Sequence, residues 1–135
     1  MMQKLSFTDL LQGTIGLIEY HTAIPCYDVI PMNEPVPYYH AQIIGQRPIP
    51  HKLQWREEYD LAIHCFADSS SSVHVYELIH KLEEAMNYRI PIPEGYQILM
   101  QVPEGLLNDS VDEDGTRHAI LGFKITVMYG YKTKI

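Results

Sequence analysis

Apolar and polar positions recur along this chain with two different periods, and the switches between them mark its elements. Phe7, Leu10, Leu11, Thr14, Ile15 and Ile18 fall on one stripe at helical spacing, which predicts a first helix. Ser6-Phe7-Thr8-Asp9 is a capping-box-like start, with the Ser6 hydroxyl placed to accept an orphan backbone N–H. Gly13 and Gly16 each weaken that helix by roughly 1 kcal/mol relative to alanine, so packing must hold it. It should end near Tyr20 or His21, ahead of Pro25. Asp68 and the four serines that follow offer N-caps for a second helix over Val73–Tyr88. Its buried stripe would be Val75, Leu78, Ile79, Leu82, Ala85 and Met86.

Elsewhere the period drops to two. Tyr38–Ile44 reads as a strand closed by Gly45. Tyr59, Leu61, Ile63 and Cys65 alternate with Asp60, Ala62, His64 and Phe66 as the next, and Tyr96, Ile98, Met100 and Val102 as another. Leu106–Val111 and Arg117–Tyr129 flank the natural turn Asp112-Glu113-Asp114-Gly115. In the last strand, Ala119, Leu121, Phe123, Ile125, Val127 and Tyr129 share a face opposite Gly122, Lys124 and Thr126. Pro25–Pro37 reads as an irregular or extended segment and Gln46–Gln54, with Pro48 and Pro50, as a long loop. Strands interrupted by one helix predict an α+β fold: a mainly antiparallel β-sheet of four to five strands with two α-helices packed on one face. With no repeat and no composition break, residues 1–135 are expected to form a single domain.

Charge sharpens this picture. The net charge of −7 argues against general or sequence-specific nucleic-acid binding, which needs clustered Lys and Arg. No apolar run reaches the roughly 20 residues that cross a bilayer, and the first residues lack a secretory h-region. The expectation is therefore a protein folded in cytosol, with Cys26 and Cys65 as partly buried thiols. Arg47, Lys52 and Arg56 lie in an acid-free stretch, and Lys124, Lys132 and Lys134 in another. Glu104, Asp109, Asp112, Glu113 and Asp114 form a base-free one. Separate surfaces of opposite sign suit head-to-tail association of identical subunits. Trp55, the one tryptophan, stands beside Arg56, and both are residue types enriched at interface hot spots.

Catalytic chemistry is harder to find. There is no G-x-S-x-G elbow, no phosphate-cradling glycine loop and no H-E-x-x-H. Cys65 is expected inward on a strand, away from any thiolate-stabilising helix start. Glu57-Glu58 and Glu83-Glu84 read as solvated faces. Of the seven histidines, His40, His64 and His118 lie on different strands and would converge if those strands pair. A small-ligand- or metal-binding domain with a His-lined pocket is thus the alternative to an assembly protein. No catalytic, cofactor or metal residue is assigned.

The whole succession resembles a known family. A first helix leads to Pro25-Cys26-Tyr27-Asp28-Val29-Ile30-Pro31, and Pro37-Tyr38-Tyr39 opens a strand. A long loop, the strand Tyr59–Phe66, a Ser-rich helix start and an acidic Asp-Gly turn before His118-Ala119-Ile120-Leu121-Gly122-Phe123 complete it. This is similar to the tail-completion proteins of long-tailed bacteriophages and prophages, called tail terminator or tail-to-head joining proteins. The resemblance implies a structural virion protein without catalytic residues or cofactors. Six copies would form a ring on the head-proximal end of the tail tube, ending its polymerisation and meeting the head connector. The expected places are the virion head–tail interface and, before assembly, the host cytoplasm. The candidate interaction surface is Arg47, Lys52, Trp55, Arg56, Asp112, Glu113, Asp114, Lys132 and Lys134.

Overall fold

A computed structural model describes residues 3–132. Helix α1 covers Phe7–Thr22, followed by the two-residue strand β1 (Cys26–Tyr27) and by β2 (Tyr38–Ile49) and β3 (Gln54–Asp68). Helix α2 (Ser72–Ala85) precedes β4 (Gln97–Val111) and β5 (Thr116–Tyr131). The strands form one sheet in the order β1-β2-β3-β5-β4. Every pairing is antiparallel except β1 with β2. The α+β architecture expected from the patterning is the one observed.

Both caps act as the sequence indicates. Ser6 Oγ accepts from the Asp9 N–H at 3.1 Å, and Ser71 Oγ from the Val73 N–H at 3.2 Å. Leu10, Thr14, Leu17 and Ile18 face the core from α1, and Val75, Leu78, Leu82 and Ala85 from α2. They cover Tyr39, Tyr59, Leu61, Ile63 and Cys65 together with Ala119, Leu121, Phe123, Ile125 and Val127. A fully buried leucine or isoleucine such as Leu10, Ile18 or Leu82 contributes about 2 kcal/mol. Two buried hydroxyls are paired: Tyr39 O–H donates to the Leu78 carbonyl at 2.7 Å, and Tyr59 O–H to the Leu5 carbonyl at 2.6 Å.

Several expectations need correction. The stretch Gln46–Gln54 is no long loop: β2 runs on to Ile49, and only residues 50–53 join it to β3. Gly45 follows a bulge instead of ending the strand. Pro48 is tolerated because beyond the two residues of β1 this is an edge strand that needs no further N–H. Phe7 belongs to no buried stripe. It is 51% exposed, touching Tyr59 edge-to-face at 6.1 Å where the first turn of α1 overhangs the sheet. Helix α2 stops at Ala85, short of Tyr88, as Gln101 on β4 takes over the backbone groups that follow. The Gln101 side-chain amide donates to the Met86 and Tyr88 carbonyls, and its oxygen accepts from the Ile90 N–H. Met100 and Val102 leave the core face because a bulge between Ile98 and Met100 reverses the alternation. Glu57 is not solvated: it is buried, with Lys4 Nζ at 3.4 Å from one oxygen, whereas Glu58 sits among Arg47 and Lys124 on the outer face.

Candidate functional site

The candidate residues separate along the strands. Residues 50–53 and Trp55 lie at one end of the β3–β5 pair, where Trp55 opposes Gly130. The acidic turn lies at the other, where Asp68 opposes Thr116. At about 3.3 Å per residue the fifteen residues of β3 place these ends roughly 45–50 Å apart.

At the basic end, Trp55 is 43% exposed and stacks against Tyr129, with ring centroids 6.4 Å apart. Lys132 Nζ stands 4.7 Å over the indole and donates to the His51 carbonyl at 2.7 Å. Arg56 Nε donates to Gln54 Oε1 at 2.8 Å, and Lys52 is exposed on the connection. These four residues come together; Lys134 lies outside the described residues. Arg47 does not join them. It sits within β2 and is held by Glu58 and Asp60 of β3, so its charge is neutralised on the outer face of the sheet.

At the acidic end, the turn closes through Asp112 N–H to the Thr116 carbonyl and Gly115 N–H to the Asp112 carbonyl. Gly115 has φ +88°, which excludes most other residues there. Asp114 Oδ1 accepts from the Thr116 N–H at 2.9 Å, and that bond holds its carboxyl below the ordinary value. Asp112, Glu113 and Asp114 are thereby gathered on one tip. Asp109 is spent inside: Arg117 donates to both its oxygens at 2.7 Å, which lowers the Asp109 pKa and raises that of Arg117.

Three histidines do converge, on the face of the sheet away from the helices. His64 Nδ1 lies 2.7 Å from His118 Nε2, and the His40 and His64 rings are 5.1 Å apart. His64 Nε2 meets Gln42 Oε1 at 3.0 Å, and His118 Nδ1 stands 3.5 Å from Asp112. Burial first, then His118 and His40, depress the His64 pKa to about 4. The cluster is a layer of stacked rings: Phe66 lies 4.3 Å from His118 and 4.8 Å from Tyr38. Among the described residues no group of three His, Cys, Asp or Glu side chains is arranged to hold a metal. Both thiols are buried, and burial pushes Cys26 up to about 12 and Cys65 higher still, so neither is a thiolate at neutral pH.

The periodicity missed one apolar edge, whose side chains lie on both faces: Leu106 in register with Leu121 on the helix face, Met100 and Val102 with Thr126 and Lys124 on the other. Met100, Val102, Leu106, Leu107 and Val111 on edge strand β4 are between 39% and 58% exposed. Three bulges along β4 redirect them from the alternation a regular strand would impose. Pro103 and Gly105, set inside an apolar run, are the sequence signal for such a strand.

A phage tail terminator family with the description "Putative tail termination protein" matches residues 1–135. A chain in the structure "Virion of native gene transfer agent (GTA) particle" has the same fold, with a TM-score of 0.58 at 12% identity. The similarity covers 92% of this chain and 95% of that one. No curated protein matches the chain.

Proposed function

This chain belongs to the phage tail terminator family, and we propose that it caps the head-proximal end of a tail tube, ends polymerisation and joins the head connector. A structural role in the tail follows from the family. The finer reading is that residues 1–135 act as one domain, six copies of which close into a ring, without catalysis or cofactor. Such a ring is a component of the virion at the head–tail interface, built from subunits folded in the host cytoplasm.

The observation that supports this reading most is the separation of unlike ends from unlike edges. The sheet has two free lateral edges, β4 on one side and β2 with its short β1 on the other. A heterologous contact between unlike edges closes a ring when the rotation permits. That leaves both ends of the strands facing along the ring axis, one basic and aromatic, the other acidic. The charge asymmetry expected to join neighbours around the ring therefore suits axial contacts better. Lys52, Trp55, Arg56 and Lys132 would meet one axial neighbour, and Asp112, Glu113 and Asp114 the other, the tube and the connector being those neighbours. Arg47, tied to β3, drops out of that surface.

Electron microscopy of particles assembled without this protein tests the proposal. Tails of irregular or excessive length, unattached to heads, are expected. Tails of normal length that join heads unaided would defeat it.

A further inference from the structure

The two free edges carry more than a generic capacity to meet. On β2 the Tyr39 N–H donates to the Pro25 carbonyl at 2.8 Å, so it points to the β1 side. Strand periodicity then aims the backbone groups of Ala41 and Ile43 the same way; the Tyr27–His40 register gives the Ala41 N–H the Tyr27 carbonyl, and beyond it no described strand pairs with the Ala41 carbonyl or with Ile43. Beside this open backbone runs a cleft of about 480 Å³, lined by Phe7 and Leu11 from α1, by Asp28 and by β2 residues including Ile43 and Ile44. Phe7 and Ile44 are each more than half exposed there. An open strand edge with apolar side chains is a liability that proteins ordinarily remove. The opposite edge has the same character: β4 exposes Leu106 on the helix face, in register with Leu121, and Met100 and Val102 on the other face, in register with Thr126 and Lys124.

Direction and level of these edges agree. Since β2 opposes β3, β3 opposes β5 and β5 opposes β4, strands β2 and β4 run in opposite directions. A second copy generated by rotation about an axis along the strands keeps those directions, so its β4 arrives antiparallel to β2. The ladder also fixes height. Ala41, Ile63, Leu121 and Leu106 lie on one row, and Gly45, Asp60, Lys124 and Val102 on another. Arg47, Glu58, Thr126 and Met100 make a third. Without any axial shift, which a flat ring forbids, Met100–Leu106 of one copy stands level with Ala41–Arg47 of the next.

We propose that the β4 edge of one copy docks on the open β2 edge of a second copy, with Leu106 reaching the Phe7–Leu11 cleft on the helix face and Val102 standing beside Gly45 and Ile44. This rests on the ring reading above and names its contact. Antiparallel direction, the equal height of the two open edges and the level of Leu106 with Ala41 beside the cleft make a second copy the occupant.

Directed cross-linking on tail tubes carrying the protein tests this. The native Cys26 and Cys65 are buried and do not compete. Ile44→Cys and Val102→Cys variants, mixed one to one and oxidised, should give covalent dimers, and either alone should give none. The double variant should give a ladder that stops at the closed ring. Leu106→Glu should abolish ring formation while the melting temperature stays that of the parent, because the side chain is exposed in the single copy. Rings that form without the 44–102 bond and tolerate Leu106→Glu overturn this contact and leave the ring itself standing. Dimers from a single variant overturn it in favour of a symmetric contact, and cross-links from Val102→Cys to tube protein in favour of the tube. Absence of any ring on tubes removes the ring reading and this inference together.

Discussion

Two glycines in α1, three residues apart, should respond to the same substitution with opposite sign. Gly16 faces solvent, and a Cβ built on it would meet nothing within 4 Å. Gly16→Ala therefore keeps only the helix-propensity gain and the reduced freedom of the unfolded chain, about +0.5 to 1 kcal/mol. At Gly13 the added Cβ would stand 2.1 Å from the Pro91 carbonyl oxygen and 3.0 Å from Ile90 Cγ2. The first is backbone, so relief requires moving α1 away from the segment that leads into β4. Overpacking of this kind costs about 1–3 kcal/mol, and so deep an overlap belongs at the upper end. Offsetting roughly 1 kcal/mol of propensity leaves Gly13→Ala about 2 kcal/mol less stable than the parent. Urea titration of the two variants at neutral pH measures both, with unchanged m-values if only stability has moved. In thermal melts the pair should straddle the parent, by roughly 2–4 °C upward and 6–10 °C downward for a chain of this size. A Gly13→Ala protein as stable as Gly16→Ala would refute the close approach of α1 to Pro91.

Three polar side chains give further tests. His64 has its pKa lowered from an ordinary 6.5 to about 4, so the folded state disfavours its proton. Its contribution to stability is complete above pH 6.5 and is lost as the pH falls from 6.5 towards 4, where the unfolded chain binds the extra proton. The difference in melting temperature between pH 7.5 and 4.5 should shrink in His64→Asn, and an unchanged difference would place the depressed titration elsewhere. Removing the Tyr39 hydroxyl with phenylalanine should cost about 1 kcal/mol, since the Leu78 carbonyl it serves lies within a helix. Tyr59→Phe should cost more, towards 3 kcal/mol by chemical denaturation, because Leu5 precedes the helix and its carbonyl loses the Tyr59 hydroxyl.

Much of the fold was legible because it depends on nearest neighbours. Ser6 and Ser71 cap where short polar side chains precede apolar periodicity, and Ala119–Val127 alternates as a half-buried strand must. The acidic Asp-Gly turn also follows from local chain chemistry. Whole-length family membership was within reach of the same patterns. Tertiary structure decided what depends on residues far apart in the chain. Bulges appear only when two strands are laid together, so the exposure of Met100 and Val102 and the continuation of β2 past Gly45 were hidden. Pairing also decides which charges remain available: Arg47 and Asp109, indistinguishable in sequence from their free neighbours, are consumed by Asp60, Glu58 and Arg117. Sequence alone thus determined the two helix starts with their caps, the centres of the long strands and the two blocks of opposite charge. The register of long antiparallel strands set those blocks at opposite ends of the sheet and left its unlike edges open, because position along a strand is fixed by the partner strand.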